Sequence, residues 1–404
     1  MTSPRRIGLL APSLRGYNAV DGGIGAHFAD LAVALAADGC DVTVITPEPG
    51  VGSPPAAPEL ASIRLHPTST VLPPWLDHLA GLRWRLHTAV SRRWKIRAAS
   101  AALLAAHRET PFDCIETSST GALALTAISR RKRPPVVVRV STTADQLVSH
   151  NAGQPGWHDR LEQGWEFNLV RRADRVLTHT QGHRNEICAR WKLAPEAVAV
   201  VPHGIALPPA DELTPPAAGP ARFLFVGRFE HRKGIDVLLD AIPAVLEAQP
   251  EVRFTLAGLD PGNRWRDLFY QRHPRWRNRV DFPGRVDAGA LRAAYRDCDV
   301  FVAPSRYESF GLIYVEAMAW AKPVVGCRAG GVPDVVCDGA TGILVPPGDS
   351  PALAAALIRL ASDPSLRARL GAAARADTAA RFSRETLARA SLGLYASVAS
   401  NTGS

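Results

Sequence analysis

At 404 residues the chain is too long for one ordinary hydrophobic core, and two domains of roughly 150–200 residues are expected. With 46% apolar and 21% charged residues it has the composition of a soluble globular protein, and no stretch approaches ~20 uninterrupted apolar residues, which excludes a membrane-spanning helix. The net charge of +9 rests mostly on arginine, only five of the 47 basic residues being lysine; it suits an anionic ligand, a membrane surface or nucleic acid, and equally a compositional drift toward arginine.

The opening "MTSPRRIGLLAPSLRG" has an apolar run from Ile7 that is too short for a secretory signal and reads as a first buried strand. Strand-like runs follow at Asp41–Thr46, Phe112–Glu116, Pro135–Val140, Arg175–His179 and Val198–Val201, with helical stretches such as Ala26–Ala37 and Gly121–Ser129 between them. A proline-rich segment without apolar periodicity, 208–221, reads as a linker. The alternation then restarts at Arg222–Val226, Arg253–Ala257, Val280–Phe282, Val300–Ala303, Pro323–Gly326 and Gly342–Val345, and three helical stretches follow Asp349, the last being Ser383–Val398. Alternating strands and helices make parallel sheets covered on both faces. The expected division is 1–207, 208–221, 222–382 and a final helix in 383–404. The six cysteines lie far apart in apolar segments without a C-x-x-C pair, which favours buried thiols in a reducing compartment, the cytoplasm, over disulfides or zinc.

In doubly wound sheets ligands sit at the carboxyl ends of the strands, so the loops there carry the chemistry. After the first strand, "DGGIGAHFADLAVALAADGC" places Gly22, Gly23 and Gly25 before a helix; such a loop either approaches a phosphate or is a plain tight connection. After the seventh, "FVGRFEHRKGIDVLLDAI" places Arg228 and Lys233 at a strand end beside a helix start, a candidate diphosphate clamp. Lysine is scarce in this chain, which singles out Lys233.

In "PSRYESFGLIYVEAMA" a buried strand gives way to a helix near Gly311, leaving backbone N–H groups of Phe310, Gly311 and Leu312 directed into the cleft. Glu308 precedes that helix and Glu316 lies about one and a half turns into it. Both carboxylates can address one elongated ligand, and a lone glutamate on an otherwise apolar helix needs a partner.

These residues resemble the family-4 retaining glycosyltransferases. The family's two glutamates, with seven residues between them around a Phe-Gly pair, stand here as E308-S-F-G-L-I-Y-V-E316, followed by "AKPVVGCRAGGVPDVVCDGATGILVPPGD". "VGRFEHRKG", "GGIGAHFADLAVALAADGCDVTVIT" and "ADRVLTHTQGHRNEI…VVPHGI" match its phosphate loop, opening βαβ unit and end of first domain. The resemblance implies an α/β GT-B fold, two Rossmann-like doubly wound domains facing across a cleft. It further implies a retaining, metal-independent transfer from a nucleotide-diphosphate sugar, UDP-sugars among the candidates, with no cofactor.

Residue by residue, the resemblance assigns Arg228 and Lys233 to the donor diphosphate, with backbone at Ser309, Phe310, Gly311 and Leu312 beside it. Glu308 falls to the transferred sugar, Glu316 to the ribose, and backbone at Gly284, Arg285 and Val286 to the base. Gly23 lies against the phosphate from the other domain, and Arg228, Lys233 and Glu308 form the catalytic group. Where many relatives have a donor-binding histidine this chain has Ser141, with Arg139 two residues earlier; Arg139, Ser141 and Thr142 are the acceptor-side candidates. Ala321 stands where a glycine is frequent.

Asp297 and Asp299 form an Asp-x-Asp triplet, but at the amino end of their strand, so no metal site is expected. His179 and His183 read as a strand-end residue and a helix residue, or as part of an acceptor lining. The segment 81–107 carries Arg83, Arg85, Arg92, Arg93, Lys95 and Arg97 around Trp84 and Trp94. Three readings stay open: peripheral contact with an anionic membrane at its inner surface, a pocket for a soluble acceptor, and a solvated helix face. No nucleic-acid module is visible. Rival functions on the same fold are a nucleotide-sugar epimerase or hydrolase and a non-catalytic sugar-nucleotide-binding protein.

Overall fold

Seven strands, continuously buried except at the sheet's edges, build the first sheet: β1 (Arg6–Leu10), β2 (Asp41–Pro47), β3 (Arg64–Thr68), β4 (Cys114–Ser118), β5 (Val136–Arg139), β6 (Arg175–Thr178) and β7 (Val198–Val200). The computed structural model describes residues 5–18, 22–50, 56–69, 84–214 and 219–399, with only the backbone of 84–87. All pairs are parallel and the order is β3-β2-β1-β4-β5-β6-β7. The second sheet holds β8 (Arg222–Val226), β9 (Arg253–Ala257), β10 (Val280–Gly284), β11 (Val300–Val302), β12 (Val324–Cys327) and β13 (Gly342–Val345), in the order β10-β9-β8-β11-β12-β13. The strand order of each sheet reverses beside its first strand, between β1 and β4 and between β8 and β11. The loops after these strands flank the crevice such a reversal opens.

The edge strand β3 is absent from the sequence reading because Pro67 interrupts its run; proline is tolerated at an edge, where one side of the ladder is unpaired. The helix expected at Gly121–Ser129 is instead a 3₁₀ turn, Thr120–Ala122, followed by irregular turns. Gly121 takes a left-handed φ of 72°, and Ser100 Oγ donates to the Leu123 carbonyl (2.8 Å) and accepts from the Ala127 N–H (3.1 Å), replacing helical partners. Ala321 adopts φ 58°, a conformation that costs a residue with a Cβ about 1 kcal/mol or more and that glycine takes freely.

One core lies in the second half and two lie on opposite faces of the first sheet. The last helix, Arg384–Ala399, buries Leu387, Ala388, Tyr395 and Val398 in the first half, against the helix Gly23–Ala37 and β4. The chain crosses between halves twice at one place, where Ile205 N–H donates to the Phe382 carbonyl (2.9 Å). Within 208–221, residues 215–218 lie outside the described residues.

Candidate active site

After β8 the chain turns through Arg228–Glu230 into a short 3₁₀ turn, His231–Lys233, and Gly234 starts the helix Ile235–Ala248. A Cβ on Gly234 would fall 2.0 Å from the Pro304 carbonyl oxygen, so only glycine lets this loop lie against the loop after β11. That contact delivers Lys233 to Glu308. Lys233 Nζ donates to Glu308 Oε1 at 2.5 Å, Ser305 Oγ to the same oxygen at 3.0 Å, and Arg232 to Oε2 at 3.2 Å. Burial works to raise the Glu308 pKa, but the charges of Lys233 and Arg232 and these hydrogen bonds outweigh it, so the carboxyl is held below its usual range and stays ionised. Lys233 is lowered, burial exceeding the support it takes from Glu308.

Arg228 is placed differently from its expected partner. Its side chain is 56% exposed and pairs with Glu230 at 3.2 Å, and Glu230 in turn holds Arg232 at 2.8 Å. Arg232, missing from the sequence reading, is the buried cation of this loop; it also donates to the Tyr307 carbonyl (3.1 Å). The sequence text "EHRKG" offers it only as one more basic residue between two others.

The β11 loop then reaches Gly311, whose φ of 92° is left-handed and whose hypothetical Cβ would lie 2.6 Å from the Tyr314 ring. It caps the helix Leu312–Ala319 without a side-chain hydrogen bond, and no acidic residue occupies the first turn. The helix Gly23–Ala37 also starts from a glycine cap, Gly22, with no side-chain bond and no acid in its first turn. A Cβ on Gly23 would touch Leu312 Cδ1 at 3.5 Å, so the two helix starts face each other across the cleft. Among the described residues no side chain caps either start and no acid sits in its first turn, so their leading N–H groups and positive dipole ends are left uncompensated by these. Glu316 accepts from Tyr295 OH at 2.8 Å, and burial raises its pKa against that hydrogen bond.

Gly284 and Arg285 line a recess of about 150 Å³ with Phe229, Leu259, Asp260 and Phe282; Val286 is not part of it. From the first half, Thr142 Oγ1 donates to Ser309 Oγ (3.0 Å), Thr180 Oγ1 to the Ser309 carbonyl (2.7 Å) and Gln146 Nε2 to Tyr307 OH (2.8 Å). His150 stacks on Tyr307 at 3.9 Å. The loop bearing Glu308 is thus gripped from across the cleft.

Arg139 is a correction to the acceptor-side set. It is fully buried, donating to Glu116 Oε1 (2.7 Å) and to the Val201 carbonyl (2.8 Å), with Tyr395 OH on Glu116 Oε2 (2.7 Å). Its guanidinium braces the first half against the last helix instead of facing the cleft. Ser141 Oγ lies 3.4 Å from His179 Nε2. His27, His179 and His203 pack ring on ring beside this pair, with His27 Nδ1 2.6 Å from His203 Nδ1. Burial, reinforced by Arg139, lowers His27 to about 4 and the other two well below their ordinary value, so all three are neutral at pH 7. His183 is also buried, within 2.5 Å of Thr178 Oγ1. Neither His179 nor His183 is exposed to an acceptor. His203 bears on Phe310 at 4.8 Å, and Phe382 on its other side at 5.5 Å, so both crossovers pack on the loop.

Asp299 is occupied by Arg222, accepting its backbone N–H at 2.9 Å and its side chain at 3.0 Å, while Asp297 pairs with Arg296. In the basic segment, Arg83 lies outside the described residues, as do the side chains of Trp84 and Arg85. Arg92 pairs with Glu162, Arg93, Lys95 and Arg97 are exposed, and Trp94 is 37% exposed. Among the described residues no helix is long and apolar enough to cross a membrane.

Residues 220–363 match the family model described as glycosyl transferases group 1, and residues 21–207 match glycosyltransferase family 4. A phosphatidyl-myo-inositol mannosyltransferase of Mycobacterium leprae (strain TN) is 30% identical over 98% of both chains. A glycogen synthase of Mycobacterium tuberculosis (strain CDC 1551 / Oshkosh) is 28% identical over 93% of this chain and 91% of its own. Among solved structures, a sucrose-phosphate synthase from Thermosynechococcus elongatus superposes with a TM-score of 0.75 at 26% identity, covering 98% of this chain and 99% of that one. The paired Rossmann-like sheets are the GT-B arrangement.

Proposed function

The chain belongs to glycosyltransferase family 4, and on that premise we propose that it moves a sugar, with retention, from a nucleotide-diphosphate donor to a hydroxyl of a small-molecule, glycan or lipid-linked acceptor. UDP-sugars are the first donors to try. The observation that carries this reading is the meeting of two uncapped helix starts, at Gly23 and Leu312, with the Arg228–Lys233 loop. Backbone donors, two dipole ends and fixed cations there suit a diphosphate better than any neutral ligand.

In this reading the bond between the sugar's anomeric carbon and the diphosphate breaks through an oxocarbenium-like transition state, and negative charge accumulates on the leaving group. Groups brought into place as the donor binds, before the bond breaks, stabilise that charge without moving further. Lys233 leaves Glu308 partly or wholly for the diphosphate, and Glu308, still ionised through Arg232 and Ser305, is then available to sugar hydroxyls. Glu316, fixed by Tyr295, turns its remaining oxygen to the ribose, and the recess at Gly284–Arg285 takes the base. No step calls for a metal ion.

The test is a product assay with a panel of nucleotide sugars, with and without hydroxyl acceptors. The expected result is acceptor-dependent formation of a glycoside with the donor's anomeric configuration. Free sugar or an epimer formed equally well without acceptor would favour the epimerase or hydrolase alternative. Donor binding without turnover on any acceptor would favour a non-catalytic binding protein.

A further inference from the structure

Away from the cleft, the first half carries two adjoining recesses of about 450 and 1230 Å³ that share Arg97, Thr126 and Arg130. One wall is the helix Trp84–Glu109. Arg93, Arg97 and Arg108 stand four and then eleven residues apart, hence on one helix face, and span roughly 22 Å at the ordinary rise per residue. The facing wall carries Arg130, Arg131 and Lys132, just ahead of β5, and Arg172. Leucine and tryptophan side chains, Leu104, Leu125 and Trp165, form apolar stretches between the cations.

Among the described residues no aspartate or glutamate lines either recess. Arg93, Arg97, Arg130, Arg131 and Lys132 are all exposed and make no ion pair among the described residues, unlike Arg92 and Arg133 at the margins, which hold Glu162 and Asp174. Crowding like charges without counter-charges costs the folded state self-repulsion, and packing supplies no reason for it. The groove also opens toward the amino ends of β4 and β5, since Arg108 closes the helix leading into β4 and Arg130–Arg133 lead into β5. The donor cleft lies at the carboxyl ends. The two sites are separate.

We propose that this groove binds a linear chain bearing repeated phosphate groups. Guanidinium forks match phosphate oxygens in pairs, and cations spread over some 22 Å on two walls serve several anionic groups in a row better than one. A flat bilayer is the poorer fit: it would meet only the rims, and the exposed ring of Trp94 lines neither recess. The inference does not depend on glycosyl transfer.

The test measures binding of inorganic polyphosphate of about 20 units to the full chain by fluorescence anisotropy at low and moderate salt. Orthophosphate and phosphatidylserine vesicles run in parallel. The wild type should bind polyphosphate, lose at least tenfold in affinity as salt rises fourfold, and bind orthophosphate far more weakly. Arg97→Glu with Arg130→Glu, and separately Arg131→Glu with Lys132→Glu, should each weaken polyphosphate binding at least tenfold while leaving nucleotide binding unchanged and the melting temperature equal or higher, as the self-repulsion is relieved. Reversal of two exposed cations elsewhere, Arg359→Glu with Arg369→Glu, should change it less than twofold. No binding by the wild type, vesicle binding alone, or equal losses in the groove and control variants would each overturn the proposal.

Discussion

Lys233 and Glu308 show why a side chain's role has to be separated from its contribution to folding. Glu308 is buried and the Lys233 side chain only 14% exposed, so removing Lys233 takes from the carboxylate the nearer of its two cations, a loss of about 2 kcal/mol. Lys233→Met should therefore destabilise the protein by that order, and the double change Lys233→Met with Glu308→Gln should recover most of it, Arg232 keeping Glu230 as partner. Transfer should remain abolished in both. Chemical unfolding together with turnover checks this; recovered turnover in the double variant would remove both residues from the reaction. Glu308 and Gly311 were legible in the sequence because the motif that holds them is contiguous. Arg232 was not, because only its burial under the Tyr307 carbonyl separates it from surface charge. Arg139 was misplaced for a related reason: Glu116 lies 23 residues away on the adjacent strand, and nothing in the text of either segment announces the pairing.

At the scale of elements, the two helix starts leave out what an ordinary helix start has. Aspartate or serine at the first cap would stabilise it, and glycine stands there instead; at the second, the left-handed φ and the Tyr314 ring require glycine. Gly22 has an extended φ and open space around its Cβ position, so Gly22→Asp fits without strain. The substitution should raise stability by a few tenths of a kcal/mol or more, through the cap and the dipole. It should weaken nucleoside diphosphate binding severalfold by placing a negative charge where the phosphates are proposed to lie. Thermal melts with and without nucleotide measure both effects; a rise in each together would argue against phosphate at this helix. The elements themselves were mostly readable from apolar periodicity. Two exceptions, β3 and the Gly121–Ser129 segment, were decided by features periodicity does not carry, an edge position and the tertiary bonds of Ser100.

For the whole molecule, the buried histidines tie stability to pH. His27 and His183 titrate at about 4 in the fold against about 6.5 when unfolded, burial being the first cause for each. Between those values the unfolded chain binds more protons, so stability is full above pH 6.5 and falls as pH drops toward 4. Each contributes a loss of about 2 kcal/mol by pH 5. His179 and His203, lowered further, add to it in the same direction. His203 also touches Phe310, so acid should loosen the loop bearing Glu308 along with the crossovers between halves. Melting temperature should fall steeply from pH 7 to pH 5, and less steeply in His183→Gln. A flat profile over that range would contradict the neutral, buried state of the cluster.

The central claim is that a diphosphate lies between the two helix starts and the Arg228–Lys233 loop. Calorimetry comparing a nucleoside diphosphate with its nucleoside, in the wild type and in Arg228→Ala, tests it most directly, since Arg228 is exposed and its loss leaves the fold intact. UDP is the first nucleotide to use. The account predicts that the diphosphate binds the wild type far more tightly than uridine does, and that Arg228→Ala narrows that gap severalfold while leaving uridine binding unchanged. Equal affinities of UDP and uridine in the wild type, or a gap that the variant leaves untouched, would contradict it.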